Sequence, residues 1–197
     1  MTPRYNDALA LAARAHLGQS RKGTAIPYIV HPVGVAGLVA LYGGDEDQQI
    51  AALLHDVLED GGPEYAAEIA SHFGERVLRI VQGCTDALPD ALGKKPDWKT
   101  RKQAYLAYLA DTDADTLLVS CCDKLYNAQA IRDDVKDLGD ALYERFGAGK
   151  AGTHWYYQSL AQAFCSAAEK QGAESRLLPA AKALAEVVAG LEPAYLL

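Results

Sequence analysis

Ala51-Ala52-Leu53-Leu54-His55-Asp56-Val57-Leu58-Glu59-Asp60 is the stretch around which the rest of this 197-residue chain is arranged. Ala51, Leu54, Val57 and Leu58 recur at helical spacing, which predicts one helix carrying His55, Asp56, Glu59 and Asp60. With about 100° between successive residues, the four polar groups fall within an arc of roughly 140°. Three carboxylates and an imidazole on one face cost repulsion and desolvation unless a cation sits among them, so the string predicts a divalent metal site. A His-Asp pair alone would say little in a chain with five His and 26 acidic residues, where a solvated acidic pair is the default. The full His-Asp-x-x-Glu-Asp string behind an Ala/Leu run is far more specific.

Working towards the N-terminus, Asp45-Glu46-Asp47 suits the start of that helix, and Gly43-Gly44 ends the one before it. The earlier helix carries Val33, Ala36, Gly37, Ala40 and Leu41 at helical period and opens with His31-Pro32. Proline favours the first helical position, which places His31 at the N-cap with its ring directed outward. A lone histidine beside an apolar segment is usually structural, and only the company of His55 and Asp56 makes His31 a ligand candidate. Before it, Gln19 to Pro27 form a basic loop in which Arg21 and Lys22 adjoin Gly23, able to close over a phosphate. A first helix, Tyr5 to Leu17, ends at Gly18.

Towards the C-terminus, Pro63 opens a helix through Phe73, and Gly74 precedes a short apolar segment, Val77 to Val81. Leu88 to Pro96 reads as a loop, followed by an amphipathic segment from Trp98 to Leu109. From Asp115 to Ile131 the apolar side holds Leu118, Cys121, Cys122, Leu125 and Ala128, while Asp123 and Asn127 form a separate i, i+4 stripe. An Asp in the middle of such a helix needs a partner. Asp137 to Phe146 is expected to form a helix ended by Gly147-Ala148-Gly149, with further helices over Thr153 to Gln171 and Leu177 to Leu191. The segment Gly152 to Tyr157 offers a site wall or a phosphate contact, but an aromatic cluster such as Trp155-Tyr156-Tyr157 at a helix start more often serves packing. No period-2 strand, internal repeat or low-complexity segment stands out, and the tail from Glu192 to Leu197 carries no signal.

Length and composition fit one domain over residues 1–197 with a full core. A net charge of -7 argues against nucleic acid and anionic membranes as partners, and leaves room for an anionic small molecule held by a metal and local cations. No apolar run is long enough to span a bilayer and no signal-peptide core is present, so the expected location is the cytoplasm. Cys84, Cys121, Cys122 and Cys165 lack Cys-x-x-Cys spacing and read as reduced structural thiols.

Together His31, His55, Asp56 and Asp123 offer two imidazoles and two carboxylates from three helices, a mixed set that suits manganese, iron or zinc better than calcium. Glu59 and Asp60, one turn beyond, are placed to orient or deprotonate an attacking water. The order His31, His55-Asp56, Asp123 resembles the HD-domain phosphohydrolase superfamily. With Arg21-Lys22-Gly23, Pro27-Tyr28-Ile29-x-His31-Pro32 and Asp123-Lys124-Leu125-Tyr126-Asn127, the chain is similar to the hydrolase domain of the RelA/SpoT alarmone enzymes over roughly Tyr5 to Ile131.

The resemblance implies an all-α HD-domain bundle, Mn2+ or another divalent cofactor, and removal of the 3′-pyrophosphate from guanosine tetra- or pentaphosphate. It further implies His31, His55, Asp56 and Asp123 as metal ligands, Glu59 and Asp60 as the catalytic carboxylates, and Arg21, Lys22 and Asn127 as substrate contacts. By length the chain looks like a stand-alone hydrolase, functionally paired with a small alarmone synthetase. The loop Gly23-Thr24-Ala25-Ile26 is longer than the corresponding form in the long enzymes, which leaves adenosine alarmones open as substrates. Two rival readings stand beside this one: another HD phosphohydrolase such as a nucleotidase, and a non-enzymatic nucleotide sensor or partner-binding domain. Arg21-Lys22 with Glu59-Asp60 argue against the first, and the complete ligand set against the second.

Overall fold

Asp45 begins the central helix with a reciprocal cap. Its Oδ1 accepts from the Gln48 N–H, and Gln48 Oε1 accepts from the Asp45 N–H, both at 3.0 Å. The helix that follows, Glu46–Leu54, buries Ile50, Ala51, Ala52, Leu53 and Leu54 completely. The computed structural model describes residues 2–85 and 96–191. Its α-helices are α1 (Pro3–Ala15), α2 (Val30–Leu41), α3 (Glu46–Leu54), α4 (Tyr65–Phe73), α5 (Glu75–Cys84), α6 (Trp98–Leu109), α7 (Ala114–Leu138), α8 (Gly149–Gln171) and α9 (Leu177–Ala189). Among the described residues no strand forms, only an isolated antiparallel bridge between Ser20 and Pro27, so the expected all-α bundle is what the chain adopts. No described helix is long and apolar enough to cross a membrane.

Helix α3 sits at the centre, packed on α1, α2, α5 and α7, and α7 extends beyond it to carry the α8–α9 hairpin. At 25 residues α7 runs about 37 Å. Asp113 caps it, accepting from the N–H groups of Asp115 and Thr116. The N-terminal ends of α3 and α7 are tied to α5 by Arg76, which reaches Asp45 at 2.8 Å, Asp115 at 2.9 Å and Asp47 at 3.4 Å. One apolar core runs from Ala8 to Leu191.

Several boundaries differ from expectation, with identifiable causes. The helix expected to run through Asp60 stops at Leu54. His55 turns its Nδ1 onto the Ala52 carbonyl at 2.8 Å, and Val57–Gly61 form a wider π-helical turn closed by the Gly62 N–H on Val57 O. The regular 100° spacing therefore does not extend to Glu59 and Asp60. His31 is not an N-cap: the helical turn begins earlier, with the Val30 N–H on Pro27 O and the His31 N–H on Tyr28 O. Pro32 still falls within the first turn, where its missing donor costs nothing. The His31 ring points inward and is 1% exposed.

Helix α4 starts two residues after Pro63. Asp137 to Phe146 is not a separate α-helix: α7 continues to Leu138, and a 3₁₀ segment, Gly139–Arg145, starts at the positive-φ Gly139. Gly149 opens α8 rather than ending its predecessor. The expected loop at Leu88 to Pro96 lies, but for Pro96, outside the described residues, as does the tail from Glu192 to Leu197.

Candidate metal centre and adjoining cavity

Three helices converge on one buried point. His31 comes from the first turn of α2, His55 from the C-terminal end of α3 and Asp123 from mid-α7. Among the described residues, one donor atom from each lies within 4.8 Å of the others. His31 Nε2 stands 3.2 Å from both His55 Nε2 and Asp123 Oδ1. Asp56 Oδ2 lies 3.0 Å from His55 Nε2 and 3.4 Å from His31 Nε2, and His55 Nε2 is 3.7 Å from Asp123 Oδ1. An ion bonded at about 2.1 Å to nitrogen and oxygen sets neighbouring donors about 3.0 Å apart at right angles and about 3.4 Å apart at the tetrahedral angle. The observed separations bracket those values.

The tautomer agrees. The Nδ1–H of His55 is used on the Ala52 carbonyl, leaving the Nε2 lone pair directed at the cluster, the arrangement of a metal-binding imidazole. Among the described residues the buried Nδ1 of His31 has no partner, and its Nε2 is the nitrogen that faces the cluster. Electrostatics point the same way. Burial works against ionising Asp56, yet the neighbouring His55 and His31 hold its carboxyl well below the usual range. Burial likewise opposes a charged His55, and the two carboxylates override it. The cluster demands positive charge at its centre, whether a proton or a metal ion.

Two residues for which the sequence suggested no role complete the surroundings. Tyr28 donates its hydroxyl to Asp56 Oδ2 at 2.6 Å, and burial followed by the Asp56 charge keeps the phenol protonated far above its ordinary range. Lys124 donates to Asp123 Oδ2 at 2.6 Å and lies over the Tyr105 ring, 5.3 Å from its centroid. Burial penalises the Lys124 ammonium, but Asp123 holds it charged. Both residues stand inside motifs visible in the sequence; what a lone chain could not reveal was which carboxylate each would meet.

Asn127, one turn along α7, donates Nδ2–H to Asp123 Oδ1 at 2.7 Å and accepts at Oδ1 from Arg21 Nη2 at 3.0 Å. It therefore links the basic loop to the donor cluster. Beyond it opens a cavity of about 330 Å³, lined on its polar side by Arg21, Lys22, Tyr28 and Asn127 and on its apolar side by Ile131, Leu142, Phe146 and Tyr157. That volume is at the small end of small-molecule sites. Glu59 is half-buried and Asp60 exposed on the π-turn immediately after Asp56, and the Asp60 charge acts on the Tyr28 hydroxyl. Of the aromatic cluster, Trp155 and Tyr156 pack against Trp98 at ring separations of 6.0 and 5.9 Å, as expected for packing, while Tyr157 walls the cavity. Asp134 and Arg145 also line it, and no local motif announced them.

An HD-domain family model matches residues 8–154, which include every donor of the cluster. The chain belongs to the HD-domain family. Among sequenced relatives, this HD domain is similar to the guanosine-3′,5′-bis(diphosphate) 3′-pyrophosphohydrolase MESH1 of Danio rerio, at 36% identity over 160 residues, 78% of this chain and 79% of that protein. The human MESH1 is 38% identical over 61% of this chain and 65% of its own length. The guanosine-3′,5′-bis(diphosphate) 3′-pyrophosphohydrolase of Aquifex aeolicus is 36% identical over 60% of this chain, and there the HD domain spans only 16% of the relative. Among solved structures, a metazoan ortholog of SpoT superposes with a TM-score of 0.71 at 22% identity, covering 93% of this chain and 94% of that one. A protein from Listeria monocytogenes EGD-e superposes with a TM-score of 0.68 at 24% identity, covering 85% and 99%. At these identities the superpositions speak for the fold.

Proposed function

We propose that this HD domain is a metal-dependent hydrolase that removes the 3′-pyrophosphate of guanosine 3′,5′-bis(diphosphate), yielding the nucleoside 5′-diphosphate and inorganic pyrophosphate. The observation that carries this reading is the donor cluster, whose separations of 3.0 to 3.7 Å and inward-facing His55 lone pair suit a divalent ion. The names borne by relatives of comparable length supply the substrate. We take residues 1–197 as one hydrolase domain, a reading supported by the single core from α1 to α9. Its four unpaired cysteines suit a reducing compartment such as the cytoplasm.

His31, His55, Asp56 and Asp123 would hold the ion, and their mixed nitrogen and oxygen set favours manganese over calcium. Such an ion would supply Lewis-acid chemistry, the polarisation of a phosphoryl oxygen and compensation of charge in the transition state. Arg21 and Lys22 bind the phosphates, and Asn127 orients the nucleoside while tethered to Asp123 and Arg21. Tyr28 donates to Asp56 Oδ2, the oxygen that faces the two histidines, and Lys124 to Asp123 Oδ2, the oxygen turned away from them, so that both carboxylates keep one geometry. The attacking water forms its bond to the 3′-α-phosphorus as the bond from phosphorus to O3′ breaks. Glu59, half-buried on the π-turn, takes the water proton, exposed Asp60 passes it to solvent, and O3′ takes up a proton from water. An enzyme that pyrophosphorylates the 3′ position, such as a small alarmone synthetase, is the functional counterpart this reaction requires.

The test is product analysis. Metal-stripped protein, with and without Mn2+, is incubated with guanosine and adenosine 3′-pyrophosphates and with nucleoside monophosphates. Intact pyrophosphate released only in the presence of metal supports the proposal. Single phosphate released from monophosphates overturns it in favour of a nucleotidase.

A further inference from the structure

The end of the cavity remote from the donor cluster has a built feature that the reaction above leaves unused. Arg145, the last residue of the 3₁₀ segment, donates from Nη1 to Asp134 Oδ2 at 2.8 Å. Its stem crosses the basic loop at Gly23, where an added Cβ would stand 2.8 Å from both Cδ and Nε of Arg145. Gly23 also holds a φ of 72°, so glycine is required there on two counts. Arg145 thus ties the loop to α7 and roofs the cavity. Asp134 stands eleven residues beyond Asp123 on the same helix, about 16 Å down its axis.

Two cations converge here in a chain whose net charge is -7. The Arg145 side chain is only 23% exposed and, among the described residues, makes its one hydrogen bond to Asp134, leaving further guanidinium donors unused. Lys22, next to Gly23, lines the same cavity, is exposed, and forms no ion pair among the described residues. If the 3′-pyrophosphate lies at the donor cluster and the nucleoside against Ile131, Phe146 and Tyr157, the remaining charged part of the substrate is its 5′ end. A planar guanidinium held by Asp134 suits a phosphate there better than a flexible ammonium alone.

We propose that Arg145, with Lys22, binds the 5′-phosphates of the nucleotide and makes hydrolysis depend on them. This rests on the reading of the site as a nucleotide 3′-pyrophosphohydrolase. Arg145→Gln keeps most of the stem over Gly23 and removes the charge. The wild type and variant are compared on guanosine 3′-pyrophosphates bearing either a 5′-diphosphate or a 5′-hydroxyl. The wild type should prefer the 5′-diphosphate, and in the variant that kcat/KM ratio should fall about tenfold, mainly through KM, as for loss of one charge-assisted contact. An unchanged ratio, even with lower overall activity, leaves Arg145 a merely structural role and overturns the proposal. Calorimetric titration with guanosine 5′-diphosphate needs no turnover: weaker binding to the variant supports the proposal, and equal binding overturns it. Should the wild type release no pyrophosphate from either substrate, the hydrolase reading fails while the titration still judges Arg145.

Discussion

Gly34→Ala is the substitution whose outcome the packing determines most sharply. Gly34 lies on α2 three residues after His31 and faces Tyr126 on α7, three residues after Asp123. A Cβ at Gly34 would stand 2.7 Å from Tyr126 Cζ and 2.8 Å from Cδ2, with Cε2 nearer still. Ordinary carbon contact lies near 3.5–4.0 Å, so the ring must retreat by about 1 Å or more. It is confined by the His31 ring, 5.3 Å away between centroids, and by the Arg21 guanidinium, 5.7 Å above its face.

If the ring swings out, Arg21 loses its platform; if the helices part, the 3.2 Å separation of His31 Nε2 and Asp123 Oδ1 widens. Overpacking costs about 1–3 kcal/mol, against which alanine in a helix recovers about 0.5–1 kcal/mol relative to glycine. The net loss of about 0.5–2 kcal/mol lowers Tm by roughly 1–8 °C for a chain of this size. Gly37, one turn further along the same helix, has nothing within 4 Å of its added Cβ, so Gly37→Ala should instead raise Tm by about 1–4 °C. Thermal unfolding of both metal-free variants measures this. Chelator competition measures Mn2+ affinity, expected about tenfold weaker for Gly34→Ala, as when support of a metal ligand is disturbed. A Gly34→Ala protein that melts at or above wild type and binds metal normally would refute the idea that the α2–α7 contact sets the ligand spacing.

The other expectations divide the site by role. Asp123→Asn should lower metal occupancy and the gain in Tm on adding Mn2+, whereas Glu59→Gln should retain metal and lose about 10²- to 10⁴-fold in kcat; metal analysis beside steady-state kinetics checks both, and a reversed pattern exchanges the two roles. Lys124→Met removes the hydrogen bond that fixes the Asp123 carboxylate, so metal affinity should fall about 10- to 100-fold through lost ligand orientation, while retained Tyr105 packing keeps the fold; equal or tighter metal binding would make Lys124 a bystander in positioning Asp123. Arg76→Leu, far from the cluster, should cost about 1 kcal/mol at neutral pH, a small figure because Arg76 is over a third exposed and solvent screens its pairs. Burial alone would raise the Asp45 pKa, but hydrogen bonds from Arg76 and the Gln48 N–H hold it below its ordinary 3.8. A depressed folded value gives stability that is present above 3.8 and lost as pH falls through the folded pKa. The wild-type advantage over Arg76→Leu should therefore shrink on acidification below about pH 4 in urea titrations, and an advantage independent of pH would exclude the Asp45 pair as its source.

The helical class was legible in the chain because apolar period, glycine stops and acidic helix starts are local. Asp45-Glu46-Asp47 announced α3, and Gly74 announced the break before α5, since a cap or a positive-φ residue acts within a few positions of itself. Candidate ligands were legible for a related reason: a carboxylate in the apolar run of α7, or beside a histidine at the end of α3, is costly unless something pays it back in charge. What a local reading could not reach was any choice made by a distant partner. The helix through Asp60 broke because the His55 ring claimed the Ala52 carbonyl while its other nitrogen turned to residues 24 and 68 positions away in sequence. Regular helical geometry yields there to a demand that only the assembled cluster makes.

His31 illustrates the same limit: its proline neighbour suggested a ring facing outward, and burial between Tyr28, His55 and Tyr126 turned it inward. Tyr28, Lys124 and Arg145 carried no readable role because each acts on a group from another element: Asp56, Asp123 and the loop at Gly23. The amino-acid sequence by itself determined which segments are helical and which residue types the site contains, since propensity, capping and burial cost are properties of neighbours along the chain. The tertiary structure alone decided which donor faces which and where the cavity closes, because those depend on the packing of α2, α3 and α7 against one another.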